Sequence, residues 1–104
     1  PTEAETRAFQ KALSAQGIDT VRYKDNLWHY VPNWEHFLAR STANSKRHPF
    51  TDPTYKGKVN YRRENIPQAE DILGRTLVIA IQVKMSEEKI AGLKKGIEKA
   101  AQQI

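Results

Sequence analysis

The chain has 104 residues, with 17 Lys+Arg against 12 Asp+Glu and a formal charge of +5, a length that bounds it to one domain spanning residues 1–104. At 38% hydrophobic and 28% charged residues it can build a small core, which excludes disorder throughout. It has no cysteine, which excludes disulfide scaffolds, thiol catalysis and zinc-thiolate sites; it also lacks a leader pattern and the roughly 20 consecutive apolar residues of a membrane helix, so it reads as soluble and cytoplasmic, with no membrane partner.

Thr2 followed three residues later by Glu5 forms a capping box, so a helix should start behind Thr2. Phe9 and Leu13 share its apolar face, and Gly17 supplies the left-handed residue that closes it, with Ile18 packing back on the last turn. Residues 18–23 alternate and are rich in β-branched and aromatic types, which predicts a half-buried strand. From Lys24 to Asn65 periodicity is poor, apart from Asn33 as the cap of a short helix carrying Trp34, Phe37 and Leu38. This stretch holds both Trp, all three His and three of the four Tyr, which points to a packed functional loop rather than a disordered linker.

Pro67 opens a helix through Leu73, with Gly74 positioned to stop it. Residues 76–83 form the most apolar run and predict a strand covered on both faces. Ser86 caps a last helix whose stripe is Ile90, Leu93, Ile97, Ala100 or Ala101, and Ile104. The pattern fits an α/β or α+β layer, with two long helices covering a small sheet. A doubly covered strand needs more neighbours than the chain supplies, and an ordered helix starts directly behind Pro1. Both lead us to expect a piece of a longer polypeptide lacking one upstream strand.

The densest cluster of chemistry runs from Asn26 to Phe37: two imidazoles, a phenol, two indoles and two amides in twelve residues. Aromatic faces stack on sugar rings or cofactors, while imidazoles and amides direct hydrogen bonds, so Trp28, His29, Tyr30, Asn33 and His36 are candidate ligand contacts. The competing reading is a satellite core of Trp28, Tyr30 and Trp34. His29, Glu35 and His36 match no metal-ligand spacing, so no metal site is expected. No phosphate loop or nucleophile motif is present.

Between Arg40 and Arg63 stand seven cations (Arg40, Lys46, Arg47, Lys56, Lys58, Arg62 and Arg63) and one acid, Asp52. Guanidinium forks such as those of Arg40 or Arg47 suit a substrate carboxylate. With Phe50, Tyr55 and Tyr61 interleaved, the same segment reads alternatively as a nucleic-acid module, although no recognition motif supports that.

Residues 67–81, PQAEDILGRTLVIAI, and 85–90, MSEEKI, resemble the C-terminal segment of the DegT/StrS type sugar aminotransferases. The Asn26–Phe37 stretch, followed by Pro53-Thr54-Tyr55-Lys56-Gly57, is most similar to the subgroup that aminates 8-keto-3-deoxy-octulosonate sugars. The resemblance implies the small C-terminal domain of an aspartate-aminotransferase-fold enzyme. Such an enzyme is a homodimer that uses pyridoxal 5'-phosphate, a keto-sugar substrate and an amino-acid donor. It further implies that the Schiff-base lysine and most cofactor contacts lie in a separate large domain, so neither Lys24 nor Lys84 inherits that role and no residue here is catalytic. His29-Tyr30 and His36 match the positions from which the family's small domain reaches the substrate; Val31 stands where the family more often has proline, and the gap to His36 is longer. His29 as an auxiliary proton relay is compatible with this reading.

Overall fold

The computed structural model describes residues 1–58 and 60–104. Among the described residues four α-helices, α1 (Glu3–Ala15), α2 (Glu35–Leu38), α3 (Pro67–Gly74) and α4 (Glu87–Ala101), accompany two short strands, β1 (Val21–Arg22) and β2 (Leu77–Val78). The strands pair antiparallel, Val21 opposite Val78 and Arg22 opposite Leu77. The architecture is a small mixed α+β arrangement.

Local signals act where expected at both ends. Glu5 N–H donates to Thr2 Oγ1 at 3.2 Å and Thr2 N–H to Glu5 Oε2 at 2.6 Å, closing the capping box. Gly17 takes φ 73°, and the next amide, Ile18 N–H, returns to Leu13 C=O at 3.0 Å. Ser86 Oγ accepts from Lys89 N–H at 3.2 Å to start α4. Packing of α4 on α1 then buries Ala12, Leu13, Ile18 and Ala100, with Phe9, Leu77, Ile79, Leu93 and Ile97 around them. The helices meet at Gly96, where a Cβ would stand 2.6 Å from Ile18 Cδ1, so this approach requires glycine or a displaced Ile18.

Two expectations need correction. The strand expected over 76–83 pairs only at Leu77–Val78, and Val78, Ile81 and Val83 are exposed rather than covered on both faces. Among the described residues the sheet has two strands, so β2 has one neighbour and no second layer. The strand expected over 18–23 likewise shrinks to Val21–Arg22, and its inward residue is Arg22. The helix opened by Pro67 does end at Gly74, as read, where the Glu3 carboxylate lies 2.6 Å from the place a Cβ would take.

Arg22 is the polar centre of this end. Its side chain is 2% exposed, and it forks onto Asp25 through Nε (2.8 Å to Oδ2) and Nη2. Nη1 reaches Glu3 Oε2 at 3.1 Å and Gly74 C=O at 3.4 Å. A buried guanidinium is tolerated only with such full pairing. One side chain thereby ties α1, the turn after β1 and the end of α3 together.

The rest of the chain adds little core. The radius of gyration is 19.4 Å over extents of 59 × 31 × 18 Å, where a compact chain of this length has about 13 Å. Its accessible surface is 8336 Å² against about 5,900 Å² for a folded monomer of this mass. The excess carries Leu27, Trp28, Ile72, Ile81 and Val83 into the open. No helix among the described residues is long and apolar enough to cross a membrane.

Candidate functional site

The segment after β1 is shaped by two asparagines. Asn26 Oδ1 accepts from the backbone N–H groups of Trp28 and His29, both at 2.8 Å, an Asx turn that throws Trp28 outward until it is 82% exposed. Asn33 was expected to cap a helix; instead its Nδ2 donates to Lys24 C=O (2.8 Å) and Asn26 C=O (3.3 Å), and α2 starts behind Trp34 with no side-chain cap. Its Oδ1 also accepts from Arg63 Nη1 at 3.3 Å. Asn33 is thus a brace across the loop with little capacity left for a ligand.

Between these braces lies an open groove of about 570 Å³ lined by Leu27, Trp28, Asn33, Trp34, Glu35 and His36. The His36 ring stacks on Trp34 at 5.9 Å between centroids and 18° between planes. The site therefore offers an exposed indole, a stacked indole–imidazole pair and one carboxylate on an apolar floor. Of the residues expected from the sequence it gathers Trp28, Asn33 and His36; it adds Leu27, Trp34 and Glu35.

The other candidates stand elsewhere. Tyr30, expected as a ligand contact, is 1% exposed and outside the groove, and its hydroxyl has no hydrogen-bond partner. Burial first, then the charge of Glu70, raises its pKa. The neighbouring turn, Val31–Asn33, buries Pro32 as well, so this part of the loop follows the satellite-core reading. His29 is exposed but turned away from the groove lining, its Nδ1 3.2 Å from Asn26 Oδ1 and its ring tilted on Tyr23 at 6.4 Å. Because Asn26 Oδ1 is an acceptor, the neutral imidazole donates from Nδ1 and keeps a free lone pair on Nε2.

Arg40 and Arg47 also lie outside the groove lining, both with left-handed backbone at φ 50° and 57°. For Arg40 the cause is the end of α2: Arg40 N–H returns to Phe37 C=O at 3.0 Å and Ser41 N–H to His36 C=O at 2.7 Å, the Schellman pattern in a position that usually holds glycine. The basic segment beyond it hangs on rings the sequence reading did not join. Phe37, Phe50 and Tyr61 meet edge to face, Phe37–Phe50 at 6.0 Å, Phe37–Tyr61 at 5.2 Å and Phe50–Tyr61 at 5.9 Å. No periodicity links these residues, so only the folded chain exposes the trio. Asp52, the segment's one acid, accepts from Thr54 N–H and Oγ1 at 2.8 and 2.6 Å and faces His48 Nε2 at 2.8 Å. The Thr54 side chain first, then its amide and His48, pull the carboxyl down to about 2.

No lysine lines the groove, and Lys24 is committed to Glu3 at 2.5 Å and to Glu70 at 3.8 Å. The groove's lining therefore does not fit the holding of an aldehyde cofactor. Among the described residues no group of three or more His, Cys, Asp or Glu side chains is placed to hold a metal ion. No protein-family model matches the chain, and no solved structure matches it.

Proposed function

We propose that the groove over Trp28, Trp34 and His36 holds a hydroxyl-rich keto sugar, and that the chain serves as the C-terminal small domain of a DegT/StrS type sugar aminotransferase. The observation that carries this reading is the outward Trp28 beside the Trp34–His36 stack, an apolar platform with a few polar groups at its edge. Sugar rings present C–H faces to such indoles and hydroxyls to imidazole and carboxylate. Trp28 and Trp34 then set the ring plane, while His36 and Glu35 hold hydroxyls and fix which carbon faces inward. These contacts orient and do not react.

In this reading pyridoxal 5'-phosphate carries the amino group and is bound by the large domain, with an amino acid as donor. The excess exposed apolar surface supports a segment that packs against a larger body, its own large domain or the second copy of a homodimer. The 8-keto-3-deoxy-octulosonate sugars are the substrate class the sequence resemblance favours. Arg40 and Arg47 lie outside the groove lining, so neither is assigned to the sugar's carboxylate.

In the aminotransferase carrying this domain, Trp28→Ala is expected to raise KM for the keto sugar about tenfold, the effect of about 1.4 kcal/mol of lost uniform binding, and to leave kcat and the cofactor's absorbance unchanged. His29→Ala, outside the groove, should change KM by less than about twofold. Unchanged KM for Trp28→Ala contradicts the reading.

A further inference from the structure

We propose that the described residues of 40–58 and 60–63 form a binding surface for single-stranded nucleic acid, an assignment independent of the sugar groove. The first observation is how cations are paired. Outside the segment Arg7, Arg22, Lys24 and Arg75 each stand within 4.0 Å of a carboxylate, while Lys11, Lys84, Lys89, Lys94, Lys95 and Lys99 do not among the described residues; what sets 40–63 apart is density, seven cations to one acid. Among the described residues none of Arg40, Lys46, Arg47, Lys56, Lys58, Arg62 and Arg63 forms such a pair, and all seven are exposed. The acid among them, Asp52, is held ionised but turned onto Thr54 and His48, so it neutralises none of them. Seven unneutralised like charges in 24 residues repel one another. That standing field is relieved by a polyanion.

The second observation separates nucleic acid from other polyanions. Aromatic rings stand among its charges: Tyr55 is 59% exposed, with its ring over Gly57 on one side, and Tyr61 is 41% exposed, while the edge-to-face packing of Tyr61 with Phe37 and Phe50 holds the loop in shape. Cations meeting phosphates and aromatic faces meeting bases are the two contacts that bind single strands. An acidic protein surface would use the cations and leave the rings idle. Duplex is disfavoured because α2, whose Phe37 packs on the segment's rings, has four residues, too few to lie in a major groove, and bases held in pairs are not free to stack on Tyr55.

The test is fluorescence anisotropy of the chain with a labelled oligo(dT) of roughly 12 nucleotides. Neutralising four or five phosphates predicts a slope of log K against log salt of about −3, a weakening of roughly 60-fold between about 50 and 200 mM salt. The quadruple variant K46A/R47A/K56A/K58A should weaken binding at least tenfold and flatten that slope. Tyr55→Ala should weaken it about fivefold or more, with Tyr55→Phe retaining it. Because these side chains are exposed and the cations make no ion pairs, the helical circular dichroism of each variant should match the parent. No anisotropy change at the lower salt overturns the proposal. So does equal binding of duplex, or equal competition by polyglutamate with no effect of Tyr55→Ala; the last result would assign the surface to an acidic protein instead.

Discussion

The helical end and the basic segment of one short chain satisfy their polar groups in opposite ways. Around Arg22, charge is taken out of water and every guanidinium nitrogen finds an oxygen, while Ala12, Leu13, Ile18 and Ala100 close the apolar side. Between Arg40 and Arg63 the cations stay in water, and the backbone is held by Asx turns and three rings. The first arrangement fixes elements distant in sequence and builds a scaffold. The second leaves seven cations and part of the Tyr55 and Tyr61 rings exposed, as the proposed nucleic-acid surface requires.

Removing Arg22 breaks the comparison at its strongest point. Arg22→Ala removes the buried member of the network, leaves Gly74 C=O without its donor, and leaves Glu3 with Lys24 and the half-exposed Asp25 to water; it should cost about 2–4 kcal/mol, read as a lower urea midpoint of the helical signal. Lys46→Ala should lie within about 0.5 kcal/mol of the parent. Equal effects would erase the distinction. Phe37→Ala should be smaller, about 1–3 kcal/mol, since it removes ring contacts worth about 0.5–1.5 kcal/mol each. Its mark should be local: amide exchange faster in residues 40–63, with α1 and α4 unchanged.

Two glycines of α4 sharpen the account of the helical end. A Cβ at Gly92 meets nothing within 4 Å, so Gly92→Ala should stabilise by about 0.5–1 kcal/mol through helix propensity. At Gly96 the same gain is opposed by the Ile18 methyl, and overpacking of about 1–3 kcal/mol should win, so thermal midpoints should move in opposite directions. The smallest effect is acid. Asp52 titrates below its ordinary value, so its stabilisation of the 48–54 turn is complete above an unfolded value near 3.8 and is lost as pH falls through about 2. Carboxyl and Thr54 amide shifts should show a midpoint near 2; one near 4 would mean the turn is unformed.

What was legible in the sequence was what neighbours in sequence decide. The Thr2–Glu5 box, the stop at Gly17 and the Ser86 cap depend on three or four residues, and each forms as read. Trp28 and His36, marked by the crowding of aromatic and polar types in one loop, do line the groove. The misreadings all involve a partner far along the chain. Asn33 prefers Lys24 and Asn26 carbonyls to its own helix, and Tyr30 is buried near Glu70. Residues 76–83 are apolar enough for a covered strand, yet among the described residues one strand pairs with them. Arg22 gave half a signal, an inward position in the alternation from Ile18, but nothing in the sequence ties it to Glu3.

The groove is the centre of the account, and the most direct measurement on it is an amide and indole NMR titration of the chain with an eight-carbon keto sugar acid, carried to about 10 mM to capture weak binding. The account predicts shifts concentrated in residues 26–36 and at the Trp28 and Trp34 indole N–H groups, abolished in Trp28→Ala. An unmoved spectrum, or shifts confined to residues 40–63, would contradict it.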